Sequence, residues 1–217
     1  MENTSYNIFC DMDGVLVDFE TGVVAKMNSE LSKENPKEPK LAAKVIAELG
    51  RNYVTVDDIG KYSPGKSKAS VSYMYALVHD DEEFWANLPW NKGGKQLWAR
   101  IRHLNPTILT SPMDKRGKKD SLAGKKRWVE RNLGIPADRI IFAHSKWDYA
   151  LDEDGQSNVL IDDFSTKIDP WNERGGVGIL HTSADNTIKI LDTLEDLYYA
   201  MVPCKCKYQL RIALASH

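Results

Sequence analysis

The sequence predicts an α/β fold, a parallel sheet with helices on both faces, and three observations carry that prediction. Short apolar runs alternate with helical stretches through the second half of the chain. Several of those runs stop abruptly at polar residues: Asp11 and Asp13, Thr110 and Ser111, Asp162 and Asp163. The composition, 42% apolar and 28% charged over 217 residues, suits one globular core with a modest insertion.

Each element has its own warrant. Tyr6 to Cys10 is a short apolar run, read as a buried strand whose end opens into an acidic loop. From Asp18 to Leu31, Phe19, Val23, Val24 and Met27 recur at helical spacing. Residues 32–40 form a charged loop bearing two prolines, and Leu41 to Leu49 is a helix stopped by Gly50. Up to Pro89 the pattern mixes a Pro64-Gly65 turn with a helix from Ala69 to Val78. Lys95 to His103 is helical, Pro106 to Leu109 is a strand, and Ala123 to Leu133 is a helix closed by Gly134. Three more strands follow, Arg139 to Ala143, Asn158 to Ile161 and Val177 to His181, before a last helix from Thr187 to Met201. The tail after Pro203 has no clear period, and no internal repeat is visible.

Composition also excludes. Lys plus Arg (29) nearly balance Asp plus Glu (31), so nothing draws the whole chain toward nucleic acid or an anionic membrane. No apolar run approaches the roughly 20 residues needed to span a bilayer. The first four residues lack the basic-then-apolar layout of a signal peptide. Cys10, Cys204 and Cys206 make no disulfide framework and read as reduced thiols of a cytoplasmic protein.

In an open parallel sheet, ligands collect where the carboxyl ends of the strands meet. Asp11-Met12-Asp13-Gly14 sets two carboxylates just past the first strand, with a glycine that permits a sharp turn. An Asx turn would use the same residues without chemistry. Asp162-Asp163 after a second strand tips the balance, because two facing carboxylate pairs repel unless a divalent cation lies between them. An all-oxygen set with room for water suits Mg²⁺. Thr110 and Ser111 either open a turn before Pro112 or hold phosphate oxygens. Lys146 is the cation expected to offset charge at such a site. Lys125 and Lys126 are alternatives, although the run Lys125-Lys126-Arg127 reads as a solvated helix face.

These residues resemble the haloacid dehalogenase (HAD) superfamily of phosphatases. Cys10 to Glu20, the segment CDMDGVLVDFE, is similar to the opening of its 5'(3')-deoxyribonucleotidases. So are Leu109-Thr110-Ser111-Pro112, the segment from Lys125 to Gly134, Arg139 to Phe142 leading to Lys146, and Leu160 to Asp163. The resemblance implies that Asp11 attacks phosphorus and ligates Mg²⁺. It implies that Asp13 ligates through its carbonyl and serves as acid and then base. Asp163 would be the third metal ligand, supported by Asp162, while Thr110 and Lys146 hold the phosphoryl group, with Ser111 and Lys125 beside them. It also implies a Rossmann-like core over 1–19 and 91–200, a helical cap over 20–90 that selects the substrate, and a tail over 201–217. Phe19, Phe84 and Trp85 would face a nucleobase, with Tyr75 as a looser candidate; plain packing is the competing reading for Phe84, Trp85 and Trp90. The expected substrate is a nucleoside monophosphate, a deoxy one first. Another small phosphoester or a nucleic-acid terminal phosphate is the alternative, and balanced charge argues against the latter. A non-catalytic binding module would be expected to lack one of Asp11, Asp13, Thr110, Lys146 or Asp163, and all five are present. The same segments occur in phage and bacterial phosphatases, which sets the expected compartment as a bacterial or phage-infected cytosol. The sequence does not fix an oligomeric state.

Overall fold

A computed structural model describes residues 6–60, 66–113 and 119–201. The Pro64-Gly65 turn, Cys204, Cys206 and the tail from residue 202 lie outside the described residues. Five strands, β1 (Ile8–Cys10), β2 (Thr107–Thr110), β3 (Ile140–Phe142), β4 (Val159–Asp162) and β5 (Val177–Leu180), form one sheet. Their order is β3-β2-β1-β4-β5 and every pairing is parallel. Thr110 and Asp162 are thus the last residues of their strands rather than the first of the following loops.

The side chains show why these short runs form a two-sided sheet. Ile8, Cys10, Ile108, Val159 and Ile161 belong to one core, whereas Phe9, Leu109 and Leu160, the intervening residues, belong to another. That is the period of two expected of strands buried on both faces. Helix α1 (Phe19–Leu31) leaves the loop after β1, and α2 (Pro39–Leu49), α3 (Val56–Ile59), α4 (Lys68–Val78) and α5 (Glu82–Ala86) follow before β2. After them come α6 (Gly94–Ile101), α7 (Lys119–Leu133), α8 (Ser165–Glu173) and α9 (Ala184–Met201). Ile168 and Trp171 of α8 bury into the second core, while Leu97, Trp128 and Leu191 of α6, α7 and α9 bury into the first.

Several elements depart from the sequence reading. Helices α3 and α5 are each too short to show a helical period in the sequence. Helix α8 is hidden in the sequence by its interior Pro170, which argues against a helix although the chain remains helical through it. Helix α7 begins at Lys119, ahead of the expected Ala123. Among the described residues no helix is long and apolar enough to cross a membrane.

Candidate active site

Three strand ends meet at the middle of the sheet. Strand β1 lies between β2 and β4, so the loop after Cys10 is flanked by Thr110 on one side and Asp162 on the other. Asp11 continues the ladder for one more bond, its N–H donating to the Ile161 carbonyl at 2.8 Å. The chain then turns at Gly14, where φ is +84°. A Cβ there would stand 2.4 Å from Asp163 Oδ2, so glycine is demanded both by the backbone conformation and by the approach of the second acidic pair. Asn91, which the sequence reading did not single out, pins this loop: its side-chain N–H donates to the Gly14 carbonyl at 2.6 Å.

Two buried lysines organise the carboxylates. Lys146, 1% exposed, donates to Asp162 Oδ2 at 2.6 Å and lies 2.8 Å from Asp11 Oδ1. Burial alone would lower its pKa, but Asp11 and then Asp162 outweigh that and hold the ammonium above its ordinary range. Asp11 Oδ1 also accepts the Met12 N–H at 2.7 Å, and among the described residues Oδ2 takes no hydrogen bond. Asp162 uses both oxygens, since Oδ1 accepts the Phe164 N–H at 2.9 Å. Burial, followed by the charge of Asp11, pushes the Asp162 carboxyl up to about 7 despite the pairing with Lys146. Asp163 is half-buried and lines the cavity that opens here.

Lys125 overturns a sequence expectation. It lies one residue before exposed Lys126 and Arg127, yet it is buried. Its ammonium donates to Asp13 Oδ2 at 2.6 Å, to Thr110 Oγ1 at 3.0 Å and to the Ser111 carbonyl at 3.0 Å. The helix turns Lys125 inward because adjacent positions differ by about 100° around its axis, and a run of three charges cannot share one face. Thr110 Oγ1 accepts from Lys125, so its own O–H remains available to another acceptor. The Ser111 hydroxyl donates to the Ala143 carbonyl at 3.1 Å. Asp13 Oδ1 is buried without a hydrogen-bond partner.

Four carboxylates were expected to converge; three do. Asp11, Asp162 and Asp163 can each offer an oxygen, and these oxygens lie within 4.8 Å of one another. The side chain of Asp13 is drawn aside by Lys125 instead. Lys146 pairs with Asp11 and Asp162, and the three converging acidic residues together offer only hard oxygen donors. A hard divalent cation such as Mg²⁺ fits that donor set in its chemistry.

The aromatics expected to face a base pack on one another, and Phe19 and Trp85 also line the cavity. Phe19 and Trp85 stack on one another, with centroids 5.3 Å apart and planes 14° from parallel. Phe84 stands edge-on to both, at 6.2 Å and 5.3 Å, and does not line the cavity. Trp85 is 1% exposed, and its indole N–H donates to the Val78 carbonyl. Lys125 sits 5.0 Å from the centre of the Trp85 ring. No room is left between these rings for a base. Trp90 packs against Trp128 at 4.9 Å.

No protein-family model matches the chain. Among solved structures it is similar to a hydrolase from Streptococcus pneumoniae TIGR4, at a TM-score of 0.49 and 14% identity, over 86% of this chain and 98% of that one. It is also similar to the beta-phosphoglucomutase of Clostridium difficile, at a TM-score of 0.38 and 14% identity, over 90% of this chain and 98% of the other.

Proposed function

We propose that the chain is a Mg²⁺-dependent phosphatase of the haloacid dehalogenase type, acting on nucleoside monophosphates, deoxy ones first, through a phospho-aspartate on Asp11. The observation that carries this reading is the state of Asp11. Lys146 and the Met12 N–H hold one carboxylate oxygen, while the other, without a hydrogen bond, belongs to a residue on the wall of a cavity of about 620 Å³. A nucleophile needs that combination of fixed orientation and an unengaged lone pair.

Asp11, Asp162 and Asp163 would hold the Mg²⁺, with the Asp13 carbonyl as the resemblance implies. When bound, the ion withdraws negative charge from the phosphoryl group and from the crowded carboxylates. Asp11 attacks phosphorus as the bond to the leaving oxygen breaks, and Asp13 delivers its proton to that oxygen. Water then attacks the phospho-aspartate, Asp13 takes back a proton, and inorganic phosphate leaves with Asp11 restored. Asp13 Oδ1, buried and without a partner, is the atom suited to that proton. Thr110 directs its free O–H to a phosphoryl oxygen, and Lys146 and Lys125 offset charge that develops there.

A screen of phosphorylated metabolites against the purified protein, with and without Mg²⁺, tests the reading. Hydrolysis of nucleoside monophosphates that disappears on chelation and returns with Mg²⁺ is the expected result. Full activity after exhaustive chelation would remove the metal from the scheme, and preference for a small phosphoester without a base would remove the nucleotide.

A further inference from the structure

Where the chain leaves β1 for α1 and where it returns from α5, the two segments are bonded to each other. Val17 and Trp90 form an antiparallel bridge, and the Asp18 N–H donates to the Pro89 carbonyl at 3.0 Å. The Asn91 N–H donates to the Leu16 carbonyl at 2.8 Å. Asn91 then turns its side chain onto the loop that carries Asp13. Its Nδ2 donates to the Gly14 carbonyl at 2.6 Å and lies 3.4 Å from the Val15 carbonyl. Its Oδ1 accepts the Lys92 N–H at 2.9 Å, which fixes the end of the amide that faces the loop. Two carbonyls on one side and an N–H on the other suit a carboxamide and disfavour a carboxylate of the same shape. Close packing keeps the segment in place: a Cβ on Gly94 would stand 2.7 Å from the Leu16 carbonyl oxygen.

Asp11 and Asp13 depend on this contact unequally. Asp11 is fixed without it, by the ladder bond to Ile161, by Lys146 and by the Met12 N–H. Asp13 sits in the turn itself. Among the described residues its side chain is held by Lys125, and Oδ1 has no partner. Gly14, the next residue, has φ +84° and no side chain to restrict it, so hydrogen bonds must define the turn. Its N–H donates to the Val17 carbonyl within the loop at 2.8 Å, and its carbonyl is held from outside by Asn91.

We infer that Asn91 is a positioning residue, which holds the Gly14 turn so that Asp13 can hand its proton to the leaving oxygen. The inference rests on the phosphatase reading above, and it adds to that reading a residue from beyond the five helices that follow β1.

The test uses two substrates that differ in their need for that proton. The para-nitrophenolate anion leaves without protonation, whereas the alkoxide of thymidine must be protonated as it leaves. Single-turnover measurements with Mg²⁺ follow product release on forming the phospho-aspartate, before Asp13 acts as a base. Asn91→Ala should slow thymidine release from thymidine 5'-monophosphate about 10²-fold, the scale of misplacing a catalytic group by about 1 Å. Nitrophenolate release from para-nitrophenyl phosphate should stay within about threefold of wild type. Asn91→Asp keeps the size and the Lys92 contact but sets a carboxylate against two carbonyls. It should show the same split between substrates, and it serves where Asn91→Ala folds poorly. Loss of folded protein alone would lower both rates alike. Equal losses on the two substrates, or thymidine release within about threefold of wild type, would overturn the inference. Wild-type protein that releases neither product would refute the phosphatase reading itself, and the role of Asn91 would fall with it.

Discussion

The sheet edge and the helical segment over 19–86 handle their functional-looking residues in opposite ways. At the sheet edge, Asp11, Asp13, Thr110 and Asp162 each lie within hydrogen-bonding or ion-pairing distance of a buried lysine, and Asp11 Oδ2 is left for chemistry. In the helical segment Phe19, Phe84 and Trp85 pack on one another, although Phe19 and Trp85, like Tyr75, also line the cavity. The difference follows from the interactions involved. Charged groups in a low-dielectric site must find partners, and the partners can be named from the residue types alone. Apolar rings satisfy each other as readily as they satisfy a ligand, so their identity does not say which they do.

The comparison can be broken first at the nucleophile. Asp11→Asn keeps the shape and the Met12 contact but removes the attacking anion, and turnover should fall on the order of 10⁴-fold or more. Steady-state assay against the best substrate checks this, and turnover within tenfold of wild type would end the covalent scheme.

Trp85→Ala probes the other region. The sequence reading would have it weaken nucleotide binding alone. The packing instead predicts a loss of about 3–5 kcal/mol in stability, because the ring is fully buried between Phe19, Phe84 and the Lys125 ammonium. Close approach makes repair difficult: a Cβ at Gly124 of α7 would stand 2.5 Å from Trp85 Cβ, so α5 lies directly on α7. Denaturant unfolding measures the loss. A variant of wild-type stability with a KM defect confined to nucleotides would restore the sequence reading.

Lys125 and Lys126 sharpen the comparison within one helix. Lys125→Met removes the donor shared by Asp13 and Thr110, and kcat should fall about 10²–10³-fold, as when a preorganised donor is lost. Lys126→Met, one residue on and exposed, should stay within about twofold, since surface charges contribute little. Parallel kinetics on the two variants decide it, and equal effects would mean that the charge of the helix face matters rather than the three bonds.

Lys125 also marks where the sequence stopped being legible. Asp11, Thr110, Asp162 and Asp163 could be placed because a parallel strand delivers its last residue to one edge of the sheet, whatever the loops do. A run of three basic residues carries no sign of which one faces inward; that depends on where α7 starts, and its start at Lys119 was not visible in the pattern. The stack of Phe19 on Trp85 joins residues 66 positions apart, and no local period encodes such a contact. Helices α3 and α5 were missed for a related reason: short helices are fixed by capping and tertiary packing more than by their own propensity. Asp81 caps α5 by accepting the Phe84 N–H at 2.9 Å, and that cap is local enough to be read in retrospect.

The smallest expected effect concerns charge in the helical segment, where it serves structure. Asp58 accepts the Thr55 N–H at 2.7 Å and the Thr55 hydroxyl at 3.0 Å, and Arg51 grips both its oxygens at 2.8 Å and 2.7 Å. Burial opposes the ionised form, but the Thr55 N–H and then Arg51 outweigh it and hold the carboxyl below its ordinary range. A carboxyl depressed in the folded state contributes stability above its unfolded pKa of about 4, and that contribution is lost as pH falls through the folded value. Asp58→Asn should therefore cost about 1 kcal/mol at pH 7, the usual worth of a helix cap. The difference between variant and wild type should shrink below about pH 4, as wild-type Asp58 takes up its proton. Because Asp58 touches none of the lysine-bridged carboxylates, kcat should be unchanged at pH 7 while the unfolding midpoint falls. Urea titrations at pH 7 and pH 3, run beside the assay, separate the two regions. A loss of kcat out of proportion to the loss of stability would mean that the helical segment transmits charge to the sheet edge, and the division drawn between them would not hold.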